Sequence, residues 1–273
     1  MRKRTKPADG STGLDASSSA ASLTRGLDIL RAFTINDATL GNQDLIERTG
    51  LPKATISRLT STLVGLGYLH YDSMLGRYSI GPATVSLGYS SLSSSAVVHM
   101  AMPLMQAVAD KTGAAVALGT RDGAEMVYLA NRRSLSPVSL RLNVGSRLPI
   151  WRTAMGLAYL AEMVPDIRDG LVADLVAADP DNAGRIRDYL DNALDQHART
   201  GFVASFGHWY SYINAVGVAF RPTDGSPLVA LTCGGIVDIL SQDRCVQMVG
   251  PELLALIQTL RARLAGQLAP DMP

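Results

Sequence analysis

One stretch restricts the fold more than any other: residues 51–80, LPKATISRLTSTLVGLGYLHYDSMLGRYSI. Pro52 suits the first turn of a helix, where its missing N–H would have no intrahelical acceptor, and Gly67 suits the stop. At about 100° per residue, Ile56, Leu59, Leu63 and Leu66 share one side of that helix. Ala54, Ser57, Arg58 and Ser61 fall opposite, with Lys53 and Thr55 on the flanks near its start. After the glycine, YLHYDSMLGRYSI reads as strand, polar turn with Gly76, strand.

The preceding residues complete a pattern. Leu23, Leu27, Leu30 and Phe33 recur at helical spacing after Ser22, a residue able to cap the first turn. NDATLGN reads as a turn, followed by a short helix with Leu45 and Ile46 on one face and Gly50 at its end. Three helices and a hairpin within about 60 residues are the layout of a winged helix-turn-helix. Its third helix then has a use for its polar face. Ser57, Ser61 and Thr55 can exchange hydrogen bonds with base edges or phosphates, and Arg58 can address a guanine bidentately. Lys53 and the unpaired amides of the first turn suit phosphate, and Arg77 in the hairpin is placed to touch backbone or minor groove. An ordinary solvated helix also has a polar face, but more usually one of Glu and Lys. The whole arrangement favours DNA reading.

Charge is compatible with this and does not prove it. Residues 1–80 hold ten Lys and Arg against seven Asp and Glu, while residues 81–273 hold fifteen against seventeen. Part of the asymmetry comes from Arg2, Lys3, Arg4 and Lys6 in residues 1–21, an arm without periodicity that is expected to be disordered. No apolar run approaches the roughly 18 residues of a membrane span, and the basic start leads into no apolar stretch. Cys233 and Cys245 fit no metal spacing and read as reduced thiols of a cytoplasmic protein.

The winged domain is expected to end near residue 81. Residues 82–96 contain Val85, Tyr89 and Leu92 at i, i+4 and i+7, a serine-rich connecting helix. From residue 97 to about 266 the pattern changes to helices alternating with strand hairpins, with 267–273 as a tail. HMAMPLMQAVADKTG reads as a helix ending at Gly113, and AAVALGT, RDG and EMVYLANR as a hairpin, with PVSLRLN as a third strand. RTAMGLAYLAEM, DIRDGLVADLVAA and GRIRDYLDNALDQHARTG are helical; YINAVGVAF and PLVALTCGG are long strands; Ser241 caps a last helix with a kink at Pro251. Such alternation suggests an antiparallel α+β sheet domain. No G-x-S-x-G, Walker loop or H-E-x-x-H is present, and His70, His99, His197 and His208 have no metal-ligand partners at suitable spacing. No catalytic residue, metal or cofactor is expected. An enzyme acting through the second domain, or a DNA-binding assembly module without a ligand, stay open as alternatives.

SLTRGLDILRAF, GLPKATISRLTSTLVGLGYL, GRYSIGPATVSLG and LNVGSRLPIWRTAMGLAYLA together resemble the IclR family of bacterial transcription regulators, from about Ser22 to Leu264. The resemblance implies a two-domain α+β fold: an N-terminal winged helix-turn-helix, a linker helix, and a C-terminal GAF-like antiparallel sheet with flanking helices. It also implies a double-stranded DNA operator, a homodimer or dimer of dimers, and a small-molecule effector from catabolism. By position, the family's effector pocket falls on Thr153, Ala154 and Met155, on Ser205, Ile213 and Ala215, and on Thr232 and Gly234. The chain departs from the family pattern in three places. ASFGHWYSY replaces an acidic run, Ala215 a cysteine, and Trp151-Arg152 a His-Cys or His-Ala pair. Loss of carboxylates and gain of Trp209, Tyr210 and Tyr212 suggest a cavity edged by aromatics, with Arg152 pairing an effector carboxylate. The alternative puts the aromatics in the core or an interface and Arg152 in solvent.

Overall fold

The structure is a computed structural model that describes residues 13–135 and 142–266. The chain divides into two compact units, Met1–Ser91 and Leu92–Pro273.

The first unit opens with helix α1, Gly13–Arg31. It starts nine residues before Ser22, so residues 13–21 are helical where a disordered arm was expected. Its inward residue is Ile29, fully buried, while Leu23 and Leu27 from the expected apolar face are exposed. Strand β1 (Leu40–Gly41) follows, then α2 (Asn42–Thr49), α3 (Lys53–Gly65), β2 (Leu69–Asp72) and β3 (Arg77–Ile80). The strand β1, within the expected turn NDATLGN, pairs antiparallel with β3, which also pairs with β2. The wing is therefore three-stranded. A small core of Ile29, Leu40, Leu45, Ile56, Leu59, Leu69 and Tyr78 holds helices and wing together. Leu66, expected on the buried side of α3, instead caps the helix C-terminus and is exposed. Helix α4 (Pro82–Ser93) follows the wing and buries none of its residues.

The second unit begins with α5 (Ala96–Thr112), whose N-cap Ser95 accepts a hydrogen bond from the Val98 amide. Strands β4 (Ala115–Asp122), β5 (Glu125–Arg132), β6 (Arg147–Pro149), β7 (Val203–Phe206), β8 (Ile213–Phe220) and β9 (Val229–Ile236) form one antiparallel sheet in the order β6-β5-β4-β9-β8-β7. Residues 137–141 of the expected third strand lie outside the described residues; the strand next to β5 is β6, within the segment VGSRLP. Helices α6 (Ala154–Glu162), α7 (Pro165–Ala178) and α8 (Ala183–Thr200) cover one face; α5 and, after the single turn α9 (Gln242–Arg244), α10 (Gly250–Leu264) cover the other. The expected kink at Pro251 is a full change of helix type. A π-helical turn, Cys245–Val249, precedes α10, and Gly250 packs so tightly there that a Cβ would lie 2.5 Å from the Phe202 ring.

The two faces of the sheet differ in side-chain size, and that difference shapes the site. Toward α5 and α10 point Val116, Leu118, Val216, Val218, Phe220, Val229 and Leu231, which make a filled core. Alternation turns the intervening residues the other way: Ala115, Ala117, Gly119, Ala215, Gly217, Thr232 and Gly234. Small residues allow α6 to settle almost on the backbone. A Cβ at Gly217 would lie 2.2 Å from the Ala154 carbonyl oxygen, and one at Gly119 would lie 2.7 Å from Met155 Sδ. Beyond the start of α6 the same small residues leave a hollow.

Candidate DNA-reading helix and ligand cavity

Helix α3 contains no acidic residue. Lys53, Ala54, Ser57, Arg58 and Ser61 are exposed and Thr55 is half-buried, while Ile56, Leu59 and Thr60 are buried. The hydroxyls divide the same way. Thr60 Oγ1 donates to the Ile56 carbonyl at 2.8 Å and lies 3.2 Å from the Tyr78 hydroxyl, which ties the helix to the wing. Those of Thr55, Ser57 and Ser61 have no hydrogen-bond partner among the described residues. The helix thus spends its inward polar group on the fold and leaves the outward ones available.

Two arginines that could have joined this face are engaged within the protein. Arg48 forms a two-point ion pair with Asp37, at 2.6 and 2.8 Å, and also donates to the Ala32 carbonyl. The pair holds the Asp37 carboxyl far below its usual range, Arg48 contributing most. Arg77, expected at DNA, donates to Thr39 Oγ1, to the Thr39 carbonyl and to Asp44 Oδ2, at 2.9, 3.0 and 2.8 Å. Asp44 in turn accepts from the Gly41 amide at 2.8 Å. Arg77 therefore braces the corner between β1 and α2.

In the second unit, Thr153, Ala154 and Met155 of the α6 start meet Ser205, Ile213, Ala215, Thr232 and Gly234 around one cavity of about 40 Å³. Of the nine residues expected at the site, the eight placed there by resemblance therefore converge. Thr153 caps the helix, its Oγ1 accepting from the Gly156 amide at 3.2 Å. Arg152 is the exception. Its guanidinium lies 5.3 Å from the Trp151 ring centroid and donates to the carbonyls of His208 and Trp209 at 3.3–3.4 Å. It holds the 207–212 segment in place instead of facing the cavity. Of the aromatics in that segment, Trp209 lines the cavity, while Tyr210 and Tyr212 stack on each other at 5.6 Å and are about half exposed. His208 stacks on Tyr189 at 4.0 Å; burial, with nearby Arg185, lowers its pKa.

Sequence reasoning missed part of the wall: Ala115, Ala117, Tyr128, Asn131, Leu142 and Leu148. Tyr128 and Asn131 are three apart on β5, a separation that would put them on opposite faces of a regular strand. The register explains their meeting. Leu118 pairs with Ala130 and Gly119 with Tyr128, so Leu129 is an extra residue in a bulge, and alternation reverses across it. Burial pushes the Tyr128 phenol well above its ordinary pKa, so it remains a protonated donor. Among the described residues no charged side chain lines the cavity.

The chain matches the family model of the IclR helix-turn-helix domain over residues 22–73 and that of the bacterial transcriptional regulator IclR C-terminal domain over residues 89–260. It belongs to the IclR family. Among IclR-type relatives it is 31% identical over 253 residues to the HTH-type transcriptional regulator TsaQ1/TsaQ2 of Comamonas testosteroni, covering 92% of this chain and 91% of that one. An IclR family transcriptional regulator from Brucella abortus superposes with a TM-score of 0.84 at 34% identity over 96% of both chains. An IclR homologue from Microbacterium hydrocarbonoxydans, solved with 4-hydroxybenzoate, shares the fold at 22% identity, with a TM-score of 0.66 over 88% of this chain and 99% of that one. The protein is accordingly a transcriptional regulator with a DNA-binding helix-turn-helix and an IclR C-terminal ligand-binding domain. Among the described residues no single helix is long and apolar enough to cross a membrane, and no cluster of side chains could hold a metal ion.

Proposed function

We propose that this IclR regulator reads its operator with the outward face of α3 and changes its DNA affinity when a small metabolite enters the cavity beside α6. The exposed, unengaged hydroxyls and basic groups of α3 carry the first half. Lys53 and the first-turn amides address phosphate, and Thr55, Ser57, Arg58 and Ser61 address base edges; Arg77 leaves this set because its donors brace the wing. Convergence of the α6 start with strands β4 to β9 on a partly open, mostly apolar space supports the second half. The relative solved with 4-hydroxybenzoate supports a carboxylate or aromatic effector.

Two reading helices on one face of a duplex, about 34 Å apart, require a dimer. A surface for it is at hand in the first unit: Leu23, Leu27, Leu66 and Leu87 line an open groove, and Val85 and Tyr89 of α4 stand exposed nearby. Effector binding need favour one arrangement of the dimer by only about 1–3 kcal/mol, the usual scale of allosteric coupling. Selection of bound sites from random DNA tests the reading. Arg58→Ala should cost about 1–3 kcal/mol and relax base preference at one position. Lys53→Ala should weaken binding to all sequences and reduce the salt slope by about one. An Arg58→Ala protein that binds its selected site as tightly and selectively as the parent would overturn it.

A further inference from the structure

The cavity keeps three polar groups that the protein does not satisfy. Tyr128 is 7% exposed and Ser205 5% exposed, and neither hydroxyl has a hydrogen-bond partner among the described residues. Asn131 Oδ1 is also buried without a partner. Its orientation is fixed, because Nδ2 donates to the Leu142 carbonyl and an inverted amide would set two oxygens against each other. So Oδ1 can only accept. All three residues belong to the cavity wall. Asn131 Oδ1 is desolvated without return, which is destabilising in the empty protein, while the two hydroxyls stand unpaired at the cavity wall. By contrast Thr232, also in the wall, and buried Thr112 and Asn214 outside it are all bonded to carbonyls, at 2.8–3.0 Å.

Resting on the effector reading above, we propose that Tyr128, Ser205 and Asn131 select the ligand, and that it is a monocarboxylate bearing one hydroxyl. The two hydroxyls and the first amides of α6 offer donors to the carboxylate, and the helix N-terminus favours its single charge. Asn131 Oδ1 accepts from the ligand hydroxyl. Among the described residues the wall has no Lys or Arg to neutralise a second carboxylate and no acid to receive an amine. Two sources carry this chemistry, short-chain hydroxy acids and hydroxylated aromatic acids. They differ in what they ask of Trp209. About 40 Å³ admits only a few atoms, whereas a benzene-sized guest occupies a cavity of about 150 Å³. An aromatic acid must therefore displace the indole.

Calorimetric titration of the full-length protein with matched pairs, lactate against propionate and 4-hydroxybenzoate against benzoate, tests the assignment. One hydroxy acid should bind at least tenfold more tightly than its deoxy counterpart, with malonate not binding. A change in tryptophan emission on binding identifies the aromatic class, its absence the short-chain class. Asn131→Leu should bring the ratio within a pair close to one. Tyr128→Phe should weaken the hydroxy acid at least tenfold and leave the melting temperature of the unliganded protein unchanged or raised, a combination that a merely structural tyrosine would not give. Equal binding within both pairs, binding of neither, or a Tyr128→Phe protein that melts lower and binds as before would overturn the inference. A ligand found by wider screening that alters operator binding yet ignores Tyr128 and Asn131 would overturn it too, while sparing the proposed function.

Discussion

Replacing Gly217 by alanine tests whether α6 is truly seated on the sheet. The new methyl would lie 2.2 Å from the Ala154 oxygen, 2.5 Å from its carbonyl carbon and 3.0 Å from the Met155 nitrogen. Restoring an ordinary contact of 3.4 Å with that oxygen requires the start of α6 to retreat by about 1.2 Å. There is little room for it. On the helix's own side, Gly156 abuts Ile150, where a Cβ would lie 2.0 Å from the carbonyl oxygen. The obstacle is backbone on both sides, so no rotamer change relieves it. Overpacking of this kind costs about 1–3 kcal/mol. For a domain of 150–250 residues, each kcal/mol lowers the melting temperature by roughly 2–4 °C, so a fall of about 2–12 °C is expected in calorimetry. Because Thr153, Ala154 and Met155 form a wall of the cavity, ligand response should fall with it. Gly170→Ala is the control: this exposed α7 glycine would set its methyl in open space, and the change should stabilise by about 0.5–1 kcal/mol. If Gly217→Ala melts with the parent, α6 does not lie where its glycine contacts put it.

Two further outcomes follow from buried titratable groups. His208 takes up a proton less readily in the folded chain than its ordinary value of 6.5, owing first to burial and then to Arg185. The unfolded chain binds more protons just below that value, so folding stability should decline as pH falls through about 6.5, and His208→Gln should flatten the slope measured by urea titration at pH 7.5 and 5.5. Burial raises the thiol pKa of Cys233 to about 12 and that of Cys245 to about 11. Both should therefore resist iodoacetamide at pH 8 in the native protein and react promptly in urea, as mass spectrometry would record; rapid native labelling would contradict their burial.

Helix α3 was legible because its signal is local. Pro52 starts it, Gly67 follows its end, and the apolar spacing from Ile56 sets its buried side, all within a few turns. Its neighbours were less so. Leu23 and Leu27 keep the helical spacing of a core face but remain exposed, while Ile29 takes the central place; periodicity identifies an apolar stripe without saying what covers it. The bracing role of Arg77 was hidden for a related reason. A basic residue in a wing suits phosphate equally well whether or not Asp44 and Thr39, 33 and 38 residues away in sequence, have already engaged it.

The cavity shows where alternation fails as a guide. Its shape is written in the small residues of β4, β8 and β9, whose period of two separates them from the large residues of the opposite face. Its chemistry depends on Leu129, one extra residue that brings Asn131 round to the side of Tyr128. A bulge has no signature in EMVYLANR, a stretch that reads as uninterrupted strand. Without it Ala130 would follow Tyr128 on the cavity wall, and the space would have a donor but no such acceptor. In this chain the hollow is therefore set by composition, but the selectivity argued for it is set by register. Substitutions that remove the bulge should change which ligand is recognised before they change whether the sheet folds.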